Sequence, residues 1–127
     1  MDIVRRQYQA MNESLTFLSV HAHPEVEWMA AREDPDAATH RGPEAIQAYF
    51  ESWGGMIRGI AAERLEVIEN GDIVFVWIRI TGRGVESDAP VAMEQAQVWK
   101  FRDGKIERVE EYFDRTEGRR AAGVEPG

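Results

Sequence analysis

Gln95-Ala96-Gln97-Val98-Trp99-Lys100-Phe101-Arg102-Asp103-Gly104-Lys105-Ile106, continuing through Tyr112-Phe113-Asp114-Arg115, reads as two strands joined by a tight turn at Asp103-Gly104. Asp tolerates left-handed backbone angles and Gly takes them freely, so this dipeptide between β-rich runs is a hairpin signal. Strand side chains alternate with period two, which puts Gln95, Gln97, Trp99 and Phe101 on one face and Val109, Glu111 and Phe113 on one face of the next strand. Large aromatics mixed with an amide and a carboxylate fill a sealed core poorly. They suit the lining of a cavity that holds a small molecule.

Working outward, further strands are expected over 61–69, 73–83, 91–102 and 105–115, with a turn at Asn70-Gly71-Asp72 and a short strand over 26–30. Asp2 caps a first helix to about Met11, Ser14 caps a short second helix over 15–20, and Gly42-Pro43-Glu44 opens a third with the apolar face Ile46, Tyr49, Phe50 and Trp53. Residues 32–40 are polar and read as loop or irregular edge strand, and 116–127 as a short C-terminal tail, a helical turn followed by frayed residues. Helices first and an antiparallel meander afterwards predict an α+β packing in one domain spanning 1–127, with helices on one face of a curved sheet. The run Ile73-Val74-Phe75-Val76-Trp77-Ile78 is apolar on both faces, so Phe75 and Trp77 need a second cover. A homodimer through the convex sheet face, with Arg79 pairing across the two-fold axis, is the simplest way to supply it.

The 127 residues carry 15 basic and 23 acidic side chains, a net charge of −8, which argues against nucleic acid or an anionic membrane as partner. There is no cysteine, so neither disulfides nor thiolate chemistry are available. The N-terminal stretch has no apolar signal-peptide core and the longest apolar run is too short to span a bilayer, giving the expectation of a cytoplasmic protein.

His23-Pro24-Glu25-Val26-Glu27-Trp28, Arg41-Gly42-Pro43-Glu44-Ala45-Ile46-Gln47-Ala48-Tyr49-Phe50, Gly82-Arg83-Gly84, Phe101-Arg102-Asp103-Gly104-Lys105-Ile106 and Tyr112-Phe113-Asp114-Arg115 together resemble SnoaL-like proteins of the nuclear-transport-factor-2-like superfamily, over nearly the whole chain. The resemblance implies a cone: a strongly curved antiparallel sheet wrapped by three N-terminal helices and enclosing an apolar pocket. That superfamily includes polyketide cyclases, ketosteroid isomerases, limonene epoxide hydrolases and dehydratases, so fold alone does not select an activity. By the resemblance, Gln97 occupies a position whose polar group faces the ligand's oxygen, and Glu111 the position of the polyketide cyclases' catalytic aspartate. Gln cannot transfer a proton, and Glu is one methylene longer than Asp. Asp34, followed by Pro35, resembles the catalytic base of ketosteroid isomerases.

The candidate machinery is therefore Glu111 as base, Gln97 and Tyr8 as donors to a developing oxyanion, and Asp34 as a second carboxylate. Trp28, His40, Tyr49, Trp53, Trp99, Val109 and Phe113 are the candidate pocket wall. Each has a plainer alternative: Glu111 as a solvated glutamate in the acidic run 107–114, Gln97 as a cross-strand hydrogen bond, Tyr8 and the tryptophans as core. His21, His23 and His40 lack the spacing of a metal site, and no Gly-rich phosphate loop or nucleophile elbow occurs, so neither metal nor cofactor is expected. Two functions follow. One is a cofactor-free cyclase, isomerase or hydrolase acting on a small hydrophobic carbonyl compound. The other is a non-catalytic ligand-binding or assembly module. An open cavity of roughly 300 Å³ or more with a convergent carboxylate favours the first, and a filled cone the second.

Overall fold

The structure is a computed structural model that describes residues 2–32 and 38–124. In chain order it contains α1 (Asp2–Ser14), a 3-10 turn (Ser19–His21), β1 (Ala22–Met29), β2 (Thr39–Arg41), α2 (Pro43–Met56), β3 (Ile57–Asn70), β4 (Ile73–Gly84), β5 (Pro90–Arg102), β6 (Lys105–Tyr112) and α3 (Arg115–Ala121). One six-stranded sheet runs in the order β2-β1-β6-β5-β4-β3. The β5–β6 turn is built as its residues require, with Asp103 at φ 53° and Gly104 at φ 77°. Such a pair of left-handed residues matches the twist of the flanking strands.

The sheet is mixed rather than wholly antiparallel, because β1 lies parallel to β6. The two are separated by most of the chain, so no hairpin dictates their relative direction. Residues 15–20 do not form the expected helix. α1 instead runs on to Ser14, Leu15 takes φ 53°, and a single 3-10 turn follows. Long-range side-chain amides take over the backbone groups that a helix would have paired. Gln7 accepts from Leu18 N (3.0 Å) and donates to Leu18 O (2.8 Å), while Gln47 accepts from Phe17 N (2.8 Å) and donates to Leu15 O (2.9 Å). The third helix is the C-terminal one.

On the concave face, Val74, Val76 and Ile78 of β4, Trp99 of β5 and Val109 of β6 pack against Val4 and Tyr8 of α1 and Ile46 and Phe50 of α2. On the convex face, Phe75, Ala96 and Val98 are fully buried with Ala122 at the end of α3. Gly118 allows that close approach: a Cβ there would sit 2.5 Å from Ala96 Cβ and 3.4 Å from Phe75 Cε1. Arg119 lies over the Phe75 ring at 5.8 Å and Arg115 over Trp77 at 5.5 Å. Asp114 caps this helix by accepting from Glu117 N at 2.9 Å. The second cover that Phe75 demanded is thus supplied by the chain's own C-terminal helix. Arg79 is held within the chain as well, donating to Glu94 at 2.9 Å. No helix among the described residues is long and apolar enough to cross a membrane.

Candidate functional site

β6 points Glu111 inward, directly opposite Gln97 of β5. The residue is 5% exposed. Burying a carboxylate among apolar groups is costly unless its oxygens receive hydrogen bonds. Three neighbouring elements provide them. Trp28 of β1 donates its indole N–H to Oε2 at 2.7 Å, Tyr49 of α2 its hydroxyl to Oε1 at 2.9 Å, and the backbone N–H of Ala31 reaches Oε1 at 3.3 Å. An indole and a backbone amide can only donate, so this cradle is shaped for accepting oxygens. The parallel β1–β6 pairing makes it possible by carrying the end of β1 alongside Glu111. Trp28 is itself held edge-on by Phe50 and Trp99, with ring centroids at 5.0 and 5.5 Å.

Beside the carboxylate runs a second polar row. Trp99 donates its indole N–H to the Tyr8 oxygen at 3.3 Å, the Tyr8 hydroxyl donates to Gln97 Oε1, and Gln97 Nε2 donates to Gln95 Oε1 at 3.1 Å. Burial pushes the Tyr8 phenol well above its ordinary range; the Trp99 hydrogen bond opposes this and the Glu111 charge adds to it. Tyr8 is therefore a neutral donor whose proton is engaged on Gln97. It stands behind that amide rather than beside it as a second donor facing a ligand.

Glu111, Gln97 and Gln95 line one interior cavity with Trp28, Tyr49 and Trp53. Its volume is about 40 Å³. That is room for a few water molecules, since one water needs about 10–15 Å³ by this kind of measure. An open groove of about 460 Å³ adjoins it and shares three wall residues, Met11, Leu15 and Ile60. Trp99 and Val109 are fully buried in the core behind the cavity wall. Phe113 lies beyond the end of β6, half-buried and outside the lining, because the strand ends at Tyr112 before its parity can act. His40 stacks on Tyr49 with ring centroids at 4.4 Å. Asp34 lies outside the described residues. Gln7 Nε2 meets His21 Nδ1 at 3.2 Å, and His23 Nε2 lies 2.7 Å from Arg102 O. Among the lining residues that sequence reasoning left off the site are Gln95, whose parity with Gln97 was the available signal, Met11 and Leu15, whose place follows from the bend after α1, and the apolar Phe50, Ile60, Ile78 and Ile80.

The sequence matches the SnoaL-like domain family over residues 4–109. No curated protein sequence matches it. Among solved structures, a hypothetical protein of ketosteroid isomerase-like fold from Catenulispora acidiphila, in complex with trimethylamine, superposes with a TM-score of 0.78 at 18% identity, over 97% of this chain and 93% of that one. A SnoaL-like polyketide cyclase, so assigned in its own description, from Jannaschia gives 0.74 at 15% identity over 99% and 92%. A protein from Sinorhizobium meliloti described as a polyketide cyclase gives 0.68 at 26% identity over 87% and 94%. With the cone, the curved sheet and a family match over most of its length, the chain belongs to the SnoaL-like domain family and has the nuclear-transport-factor-2-like, ketosteroid isomerase-like fold.

Proposed function

We propose that this protein binds a small hydrophobic carbonyl compound inside the cone and acts on it by cofactor-free acid–base chemistry, as a cyclase, isomerase or hydrolase. The observation that carries this is the buried Glu111 carboxylate, oriented by Trp28, Tyr49 and Ala31 N across the strand pair from the Gln97 amide. Glu111 takes a proton from the carbon next to the carbonyl. The electron pair of that C–H bond becomes the new C=C bond, the carbonyl π pair moves onto the oxygen, and an amide N–H steadies the resulting enolate. A ring-sized molecule needs more than the 40 Å³ present, and the shared wall supplies a route: swinging Met11 and Leu15 aside joins the cavity to the outer groove. Leu15 sits at φ 53°, a conformation in which a non-glycine residue stores strain.

The test needs no knowledge of the natural substrate. Cyclopentanone in D2O should exchange its α-protons faster with the protein than with buffer alone. Glu111→Gln should abolish the acceleration while the folded state persists. Acceleration that survives Glu111→Gln removes the carboxylate from the mechanism. The alternative reading, a binding or assembly module without chemistry, draws on the small cavity volume and the tryptophans that fill the cone. It predicts no acceleration from the wild type. We also propose that the protein forms a homodimer through the convex face, at Trp77 and Arg79, since Phe75 already lies beneath α3. Sedimentation at micromolar concentration tests it, and a monomer there refutes it.

A further inference from the structure

We infer that Gln95 is the residue that meets the oxygen of a molecule bound in the cavity, and that Trp99 and Tyr8 are positioning residues that fix which way its amide points. This rests on the reading that the interior takes a small molecule. The direction follows from donor inventory together with the partners present, since Gln97 is the one acceptor the Tyr8 proton has among the described residues. An indole N–H has no lone pair to offer, so Trp99 must donate to the Tyr8 oxygen. Tyr8, having accepted there, directs its own proton to Gln97, which therefore presents Oε1 and not its NH2 group. The Gln97 NH2 is turned toward Gln95 and donates to its Oε1 at 3.1 Å. Gln95 is left with its NH2 group at the end of the row.

Turning either amide over breaks the row. A flipped Gln97 would strand the Tyr8 proton, and a flipped Gln95 would set two NH2 groups against each other. Gln95 as a residue is 1% exposed and lines the cavity, and the side-chain hydrogen bond it makes to a described residue is the one its Oε1 accepts from Gln97. An amide NH2 at the edge of a cavity, with its own oxygen already engaged, is a standing preference for an acceptor. The matching ligand group is a carbonyl or enolate oxygen rather than an ammonium or a bare hydrocarbon edge. The same polarity extends from the aromatic core to the cavity without any ionised group in the row.

Cyclopentanone and cyclopentane, which share a ring and differ in the acceptor, are the probes. Cyclopentanone should move the Gln95 side-chain amide protons downfield in the wild-type NMR spectrum, and cyclopentane should not. Gln95→Leu should weaken cyclopentanone binding by about twofold to tenfold, the value of one net hydrogen bond, with cyclopentane binding held or improved. Tyr8→Phe, which unlocks the direction of the row, should lower the preference for cyclopentanone over cyclopentane and leave cyclopentane affinity in place, a change that a purely structural tyrosine would not produce. If both rings bind and the ketone leaves the Gln95 amide unmoved, the inference fails while the cavity reading stands. If neither ring perturbs any interior resonance, the cavity reading fails and takes the inference with it. The wild-type shift decides even where a variant does not fold.

Discussion

Glu110 and Glu111 are adjacent in one strand and almost equally buried, at 7% and 5% exposure, but they face opposite layers of the molecule. Glu110 points outward into a cluster of charges. Lys100 and Arg108 donate to its Oε2 at 3.0 and 2.8 Å, and the Tyr112 hydroxyl donates to its Oε1 at 2.8 Å. Glu111 points inward, where an indole, a phenol and a backbone amide hold it. Cations tie up a carboxylate and neutralise it. Neutral donors such as these orient a carboxylate without bringing a positive charge of their own. Strand parity alone separates the structural glutamate from the one proposed to be functional.

The sharpest way to break this contrast is to make one substitution at both positions. Glu110→Gln should cost about 2–3 kcal/mol in urea unfolding, because it leaves Lys100 and Arg108 beside a neutral group in a half-buried cluster. Glu111→Gln should cost about 1–2 kcal/mol, since its NH2 group must face the donor-only Trp28 indole or Ala31 N, while the expense of a buried charge is removed. Equal losses would mean that both glutamates are structural.

Next in size is the outer layer on which Glu110 depends. Gly118→Ala puts a methyl 2.5 Å from Ala96 Cβ, against β5 rather than a flexible tip. About 1–3 kcal/mol of destabilisation is expected, with accelerated hydrogen exchange in α3 and little change around Glu111. Exchange that rises equally around Glu111 would show that the two layers are one cooperative unit.

A smaller effect is expected in acid. Burial pushes the Glu110 carboxyl up, but hydrogen bonds from Lys100, Tyr112 and Arg108 together outweigh it and hold the group below its ordinary 4.5. The folded form is thus the stronger acid, so its contribution is complete above about pH 4.5 and is lost as pH falls through the depressed folded value. Thermal melts between pH 7 and 3 should show that loss in the wild type and less of it in Glu110→Gln. Parallel acid curves would remove Glu110 from the account.

The smallest expected signal marks both layers at once. Burial raises the Tyr112 phenol, helped by Glu110, and burial raises Tyr8. Tyr8 and Tyr112 should therefore resist ionisation in an alkaline absorbance titration until the protein unfolds. Glu110→Gln should bring Tyr112 partway back and leave Tyr8 unmoved.

What the sequence determined by itself is what depends on neighbours along the chain. Asp103-Gly104 carries its own turn, Gly42-Pro43 opens its own helix, and period-two alternation put Gln97 and Glu111 on facing sides of a hairpin without reference to the remainder. The resemblance to SnoaL-like proteins then pointed to the cone. What only the tertiary structure decided depends on contacts far apart in sequence. The parallel seating of β1 against β6 brings Trp28 and Ala31 N to Glu111 from some 80 positions away. The docking of α3 covers Phe75, which the strand's composition alone could not distinguish from a subunit interface. Gln7 and Gln47 replace a helix over 15–20 by binding its backbone from other elements, and so place Leu15 in the cavity wall. Tyr8, expected as a second donor to a bound oxygen, donates instead to Gln97, and Trp99, the donor-only group that meets its oxygen, lies 91 residues away from it. Local steric preferences are written residue by residue, whereas the pairing of distant polar groups exists only once packing has brought them together.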